Sequence, residues 1–205
     1  MKIIRANNKK NCVFLLGPKF CLINPILKKE TRHVKKFSLT FYSGGSRSIL
    51  IYKKIIYELL KRNIKNLQIN LIVGSLSKNV NKVINIYKIY NNVKIILKNN
   101  NLSKILSNTD LLIASAGVIV YESALFKIPT ILINMSKDQE TKEEALEKIG
   151  HYFYLEKKDL KNTSKFLNLI INILTNYKRV LKLTKKPEIK IKRNSKTILK
   201  ILNFK

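Results

Sequence analysis

The stretch DLLIASAGVIVYE, residues 110–122, decides the fold that this sequence predicts. Its first part, Leu111–Ala114, is a short apolar run typical of a buried strand, and the small residues Ser115-Ala116-Gly117 end that run. A helix that carries Glu122 is predicted to begin near Gly117. The stretch is therefore a strand, a tight turn and a helix in succession, which is the building unit of parallel α/β sheets.

The sequence on both sides of this stretch repeats the same alternation of short β-rich runs and longer helical patterns. The other predicted strands are Lys36–Tyr42, Leu67–Val73, Val93–Leu97, Thr130–Ile133 and Tyr152–Leu155. Helices are predicted over residues 49–62, 80–87, 102–106 and 140–149, and from residue 166 into a lysine-rich tail. Such repeated units imply right-handed crossovers, so we expect an α/β fold, a Rossmann-like parallel sheet with helices on both faces.

The composition argues against function classes that the charge alone suggests. The 205 residues carry a formal net charge of +29, but lysine, isoleucine and asparagine, which AT-rich coding sequences over-supply, account for 35, 30 and 23 of them. Only 6 residues are arginine, the side chain that binds bases and phosphates bidentately, so no specific nucleic-acid partner is expected. Residues 110–159 differ from the rest of the chain, with 6 basic and 9 acidic side chains.

The apolar content and the few cysteines and histidines exclude further classes of protein. A hydrophobic fraction of 45% excludes a disordered polyelectrolyte, and every apolar run is shorter than the roughly 20 residues of a membrane span. Cys12 and Cys21 are expected to be core residues of a reduced, cytoplasmic protein. Neither His33 nor His151 has a carboxylate or cysteine at ligand spacing, so each is interpreted as a surface or packing residue. We expect no metal and no cofactor.

The loops after the predicted strands are the candidate ligand sites, because ligands of such sheets bind at the carboxyl ends of strands. Ser43-Gly44-Gly45-Ser46 suits an anion, since glycines allow close approach and the following helix offers amide groups, although glycine pairs after strands are more often simple structural turns. The turn at Ser115 and Gly117 would aim free amides at a diphosphate. Glu122 either accepts the hydroxyls of a ribose or is a solvated helix residue.

The loop after Thr130–Ile133 leaves a similar choice. Asp138 is a candidate N-cap of the following helix. Gln139 could instead form a hydrogen bond to a sugar hydroxyl.

Four stretches of the chain together carry a family resemblance. They are Leu15–Phe20 with Ile23-Asn24-Pro25; Phe41–Ser46; Asp110–Gly117 with Glu122 and Pro129; and Gln139 with Ala145, Leu146 and Gly150. In these residues the chain resembles the C-terminal half of two-domain GT-B nucleotide-sugar enzymes of the glycosyltransferase family 28 type. The closer likeness is to the UDP-sugar hydrolases of pseudaminic acid synthesis and their spore-coat polysaccharide relatives.

The resemblance implies a UDP-sugar as ligand and a role for each matched position. Gly45 and Ser46, next to Gly44, would lie near the phosphates, and the backbone at Leu97 and Lys98 would hold the uracil. Gly117, beside Ser115, would pass the diphosphate, Glu122 would take the ribose hydroxyls and Gln139 would reach the sugar.

The sequence departs from the family pattern in two places. Valine and isoleucine follow Gly117 where the family commonly has serine or threonine. The family's N-terminal domain, with its water-activating histidine, has no counterpart in residues 1–34. We therefore divide the chain into an N-terminal remnant and linker (1–34), a UDP-sugar-binding domain (35–176) and a basic helical tail (177–205).

Three interpretations of function stay open from the sequence. The first is the donor-binding half of an enzyme whose catalytic half is a separate N-terminal-half subunit or lies upstream, with catalytic residues unknown. The second is a nucleotide-sugar-binding remnant without turnover. The third is a basic binder of nucleic acid or of an anionic membrane surface, through the tail Lys178–Lys205.

Overall fold

The computed structural model describes residues 3–5, 13–15, 20, 36–97, 102–136 and 143–189. Within these ranges the strands form two sheets, one of two strands and one of six. The small sheet pairs β1 (Ile3–Arg5) antiparallel with β2 (Val13–Leu15). In the sequence, residues 12–16 are a strand-like run, which predicts β2, whereas β1 was not predicted.

Six parallel strands form the large sheet, and each predicted strand is confirmed to within one residue at either end. They are β3 (Phe37–Tyr42), β4 (Leu67–Val73), β5 (Val93–Leu97), β6 (Leu111–Ser115), β7 (Thr130–Asn134) and β8 (Phe153–Glu156). The helices are α1 (Lys53–Lys61), α2 (Val80–Tyr87), α3 (Leu102–Ser107), α4 (Ile119–Leu125), α5 (Glu143–Lys148), α6 (Thr163–Thr175) and α7 (Tyr177–Thr184). Short 3-10 segments, Ile49–Tyr52 and Lys157–Lys161, precede α1 and α6.

The strand order is β5-β4-β3-β6-β7-β8, which reverses direction between β3 and β6. The chain moves outward from β3 to β5, then returns to the other side of β3 and moves outward again to β8. Right-handed crossovers in opposite directions place the connecting helices on opposite faces. Residues of α1 and α2 pack in one core cluster and residues of α3, α4 and α5 in two others. The expected Rossmann-like α/β fold is confirmed.

Strand residues alternate between the two faces of the sheet. Leu39 and Phe41 of β3 are fully buried against the α1 side, together with Leu71 of β4. Leu112 and Ala114 of β6 are fully buried on the α3 and α4 side. Strands that are apolar on both faces are typical of a parallel sheet covered by helices.

The first part of the basic tail packs on the sheet domain. The Tyr177 ring meets Phe37 edge to face at 4.9 Å, and its hydroxyl donates to the carbonyl of Asp110. Val180 belongs to the core on the α1 side, and the Ile189 N–H donates to the Lys148 carbonyl at 2.7 Å. No helix in the described ranges has the length and apolarity that a membrane crossing requires.

Of the four non-glycine residues with positive φ in the described ranges, three are asparagine and the fourth is Lys127, with φ of 54°. Asn63, Asn66 and Asn79 have φ of 44°, 59° and 66°, and among the glycines Gly44 and Gly150 have φ of 93° and 98°. Asparagine tolerates this region better than most residues because its short amide forms local hydrogen bonds. Turns here therefore need few glycines.

Gly74, at the end of β4, meets a different constraint. A Cβ at this position would overlap the carbonyl of Gly45 and would stand 2.6 Å from the Gly45 Cα. The Leu76 N–H donates to that same carbonyl at 3.1 Å. The loop after β3 therefore rests directly on the loop after β4, and only glycine leaves room for this contact.

We expect Gly74→Ala to lower the free energy of unfolding by about 1–3 kcal/mol, because the backbone of the β3 loop must move to admit a methyl group. Gly45→Ala is the matched control, since a Cβ there meets nothing within 4 Å. Urea denaturation of the two variants measures the difference. Equal stabilities would contradict the close contact.

Candidate functional site

Two loops lie side by side at the carboxyl end of the sheet. β3 and β6 are parallel neighbours with Tyr42 opposite Ala114, so residues 43–46 and 115–118 leave the sheet at the same edge. A Cβ on Gly44 would stand 3.6 Å from the Ser115 Oγ, which shows how closely the loops approach. This is the point where the strand order reverses, and open α/β sheets bind ligands in the crevice formed there.

Hydrogen bonds from two buried serines hold the base of the loop after β3, and its tip is exposed to solvent. The buried Ser43 donates from its hydroxyl to the Arg47 carbonyl at 2.7 Å, and Ser77 donates to the same carbonyl at 3.3 Å. Gly44 supplies the positive φ that the turn needs. Gly45 and Ser46 are exposed. The loop is thus anchored by buried hydroxyls while its tip faces solvent.

The loop after β6 shows the same arrangement. Ser115 and Ala116 are buried, and the Ala116 N–H donates to the Ile133 carbonyl at 2.9 Å. Gly117 and Val118 are exposed, and a Cβ at Gly117 would meet nothing within 4 Å. The first turn begins with the bond from the Val120 N–H to the Gly117 carbonyl, and α4 itself begins at Ile119. The helix start was therefore predicted two residues early.

Glu122 lies in the first turn of α4 and is 8% exposed. Burial raises the pKa of its carboxyl above the ordinary range. Burial, and after it the charge of Glu122, raises the pKa of the Tyr42 hydroxyl, so the two groups are close enough to interact electrostatically. Within the described ranges no hydrogen bond or ion pair to the Glu122 carboxylate is present. Burial contradicts the alternative that Glu122 is a solvated helix residue.

The structure brings together six of the nine residues proposed from the sequence at this point of the sheet. They are Gly44, Gly45, Ser46, Ser115, Gly117 and Glu122. Leu97 ends β5 at the same edge, but β5 is separated from β3 by β4, and Leu97 is 42% exposed. Lys98 and Gln139 lie outside the described residues, as do Asp138, His33 and both cysteines.

Two residues near these loops, Tyr42 and Gly74, were not proposed as site residues from the sequence, and a third, His151, was interpreted only as a surface or packing residue. Tyr42 lies beside Glu122 and Gly74 supports the β3 loop. His151 is buried and contacts the carbonyl of Val120 in α4, so it is a packing residue rather than a surface one. A glycine at the end of a strand was the available signal for Gly74, whereas the other two depend on contacts between distant elements.

The described part of the chain contains no candidate metal site. No group of three or more histidine, cysteine, aspartate or glutamate side chains there could hold a metal ion. The chemistry of the two loops is instead that of exposed glycine backbone beside a buried carboxylate.

Solved structures of other proteins share this fold, and two of them serve as examples. UDP-GlcNAc 2-epimerase from Neisseria meningitidis, solved bound to UDP-GlcNAc, superposes with a TM-score of 0.62 at 16% identity, over 83% of this chain and 45% of that one. MurG from Acinetobacter baumannii superposes with a TM-score of 0.60 at 15% identity, over 85% of this chain and 51% of that one. At these identities the likeness establishes the fold.

A curated relative is similar in sequence. The UDP-2,4-diacetamido-2,4,6-trideoxy-beta-L-altropyranose hydrolase of Campylobacter jejuni is 29% identical over 123 residues, which is 60% of this chain and 43% of that protein. For a second curated relative the matched share is 32% of its length. The chain therefore spans less than half the length of the curated relatives it matches.

The family assignment rests on a longer match. The sequence profile of the family described as "Protein of unknown function (DUF354)" matches residues 24–200, and this chain belongs to that family.

Proposed function

We propose that this chain is the UDP-sugar-binding domain of a GT-B-type glycosyltransferase or UDP-sugar hydrolase. The observation that carries the proposal is the meeting, at the point where the strand order reverses, of two exposed glycine loops and one buried carboxylate. The sequence likeness to a UDP-sugar hydrolase supports it, as does a fold shared with an enzyme solved with UDP-GlcNAc.

Each group at the site has a role in this proposal. The Glu122 carboxylate, buried and without a hydrogen bond from the described residues, accepts the two ribose hydroxyls of UDP. The space above Gly117 admits the diphosphate, and Gly44, Gly45 and Ser46 border it from the other loop. Leu97 and Lys98 are proposed to hold the uracil and Gln139 to reach the sugar.

In this proposal, the catalytic groups of the reaction come from outside this domain. His151, the histidine that lies within the described residues, is buried under α4, and we assign it no part in activating water. With ribose at Glu122 and diphosphate across Gly117, the sugar would lie beyond the diphosphate, within reach of Gln139. A second domain, upstream or in a separate subunit, would supply the acceptor or the activated water there.

The biological setting belongs to the same proposal. We propose surface polysaccharide or pseudaminic acid synthesis as the process, because the similar protein of Campylobacter jejuni is a UDP-sugar hydrolase. The cytoplasm is the proposed compartment. Isothermal titration of the full chain with UDP tests the binding function, and absence of binding at millimolar UDP would refute it.

Gly117→Ala distinguishes an effect on ligand binding from an effect on protein stability. We expect unchanged thermal stability, because the added methyl group meets no protein atom within 4 Å and φ at this position is not positive. Affinity for a UDP-sugar should fall about tenfold or more, because a misfitting methyl group costs about 1–3 kcal/mol. Calorimetric titration and a melting curve give the two values. A variant that binds as tightly as the native chain would place the diphosphate elsewhere.

Glu122→Gln is expected to weaken binding while it stabilises the unliganded protein. A raised carboxyl pKa means that the ionised form lowers stability above that pKa, and this cost disappears below the pKa of the unfolded chain. The glutamine variant should therefore melt higher than the native chain at pH 7 and at about the same temperature near pH 3. UDP-sugar affinity should fall about tenfold, since a charge-assisted bond to a hydroxyl is lost.

The pH dependence of binding provides the control for Glu122. Native affinity for a UDP-sugar should decrease as the pH falls through the raised pKa of this carboxyl, at a higher pH than for an exposed glutamate. The Glu122→Gln variant should show no such decrease. Glu122→Ala should weaken UDP but leave a sugar phosphate without nucleoside unaffected, and equal loss of both ligands would refute the ribose assignment.

A further inference from the structure

His151 connects the turn before β8 to the helix that carries Glu122. Its side chain is 2% exposed, and its Nε2 lies 2.7 Å from the Val120 carbonyl oxygen in α4. The Ser123 Oγ is 3.4 Å from the same nitrogen. The ring therefore contacts α4 at the turn between Gly117 and Glu122.

The hydrogen-bond partners determine which ring nitrogen carries the proton. A carbonyl oxygen only accepts, so Nε2 must be the protonated nitrogen that donates to Val120. The Ser123 hydroxyl donates to the Ile119 carbonyl at 2.7 Å. Nδ1 is buried and has no hydrogen-bond partner among the described residues. Burial lowers the pKa of His151 and the Val120 bond opposes that shift, so the ring is a neutral donor at neutral pH.

The helix that receives this bond has little stability of its own. α4 contains seven residues, fewer than an isolated helix needs to persist in water. Its position is set by the burial of Ile119, Val120 and Ala124 and by the bond from His151. Val120 lies three residues after Gly117 and two before Glu122, so a shift of this turn moves both proposed ligand contacts.

The turn that carries His151 is itself held firmly. Gly150 has φ of 98° and donates to the Glu147 carbonyl at 2.8 Å, and the His151 N–H donates to the Leu146 carbonyl at 3.0 Å. A Cβ on Gly150 would stand 3.0 Å from the Thr184 carbonyl oxygen at the end of α7. The imidazole is thus presented to α4 from a turn fixed by both α5 and α7.

We propose that His151 is a positioning residue of the candidate site, whose Nε2–H bond to the Val120 carbonyl sets the placement of the Gly117 turn and of Glu122. This inference deepens the proposed function and rests on it. His151 does not touch the ligand in this proposal; it acts through α4.

Two substitutions with opposite expectations test the bond in the full chain. In His151→Gln the amide Nε2 can take the place of the ring Nε2 and donate to the same carbonyl. In His151→Leu the ring volume is largely replaced but the donor is lost. We expect His151→Leu to bind UDP-GlcNAc about fivefold more weakly and His151→Gln to bind within about twofold of the native chain, as follows from the usual strength of one neutral hydrogen bond.

Thr109→Val is the control for general destabilisation. The Thr109 hydroxyl forms a buried bond of 2.8 Å with Thr40, and Thr109 precedes β6 at the opposite, amino edge of the sheet. This variant should melt lower than the native chain and yet bind UDP-GlcNAc with unchanged affinity. If Thr109→Val weakens binding as much as His151→Leu, the positioning role is overturned, and so it is if the leucine and glutamine variants bind alike.

A measurement without ligand keeps this inference separate from the proposed function. If the native chain binds neither UDP-GlcNAc nor UDP, the proposed function fails, and hydrogen exchange of the amides from residue 117 to residue 122 then decides on His151. Faster exchange in His151→Leu, but not in His151→Gln, supports the positioning role, and equal exchange overturns it. Ring nitrogen chemical shifts should show the Nε2–H tautomer, and a proton on Nδ1 would contradict the assigned bond.

Discussion

The parallel pairing of β3 with β6 is the contact on which the candidate site depends. These strands are separated by two complete strand–helix units in the sequence, and they become neighbours only because the chain returns past β3 after β5. The pairing places Gly44 against Ser115 and brings the side chain of Tyr42 near Glu122. Of the proposed ligand contacts, all but Leu97, Lys98 and Gln139 lie on one of the two loops that this pairing brings together, or on the helix that follows.

The loops of the candidate site are firmly held, but its buried carboxylate is electrostatically unfavourable. Buried serines, the Gly45–Gly74 contact and the His151 bond hold the loops from the protein side, and their exposed tips carry little side chain. Glu122 is the exception, since a carboxylate with no hydrogen bond from the described residues is unfavourable in a buried position. Such a group is readily explained if ligand hydroxyls supply the missing donors, because the free protein then bears a cost that binding removes.

The fold could be predicted because each strand of the large sheet is a short apolar run ended by turn residues, as Leu67–Val73 is by Gly74. The glycine loops could be predicted as candidate ligand sites because strand ends share one edge. The sequence did not indicate the burial of Glu122, since solvation of a helix residue depends on what packs over it. Nor did it indicate His151, whose partner is 31 positions away. The start of α4 was misplaced because the first turn at Gly117 is not yet α-helical.

The left-handed asparagines have a consequence for how such a lysine-, isoleucine- and asparagine-rich sequence evolves. Asn63, Asn66 and Asn79 adopt positive φ where many proteins use glycine, and the whole chain has 23 asparagines but only 6 glycines. Mutational drift toward AT-rich codons can exchange glycine for asparagine wherever only the sign of φ matters. It cannot do so at Gly74, where no side chain fits. Steric exclusion thus keeps Gly74 a glycine, whereas asparagine can take the place of glycine at positions that require only a positive φ.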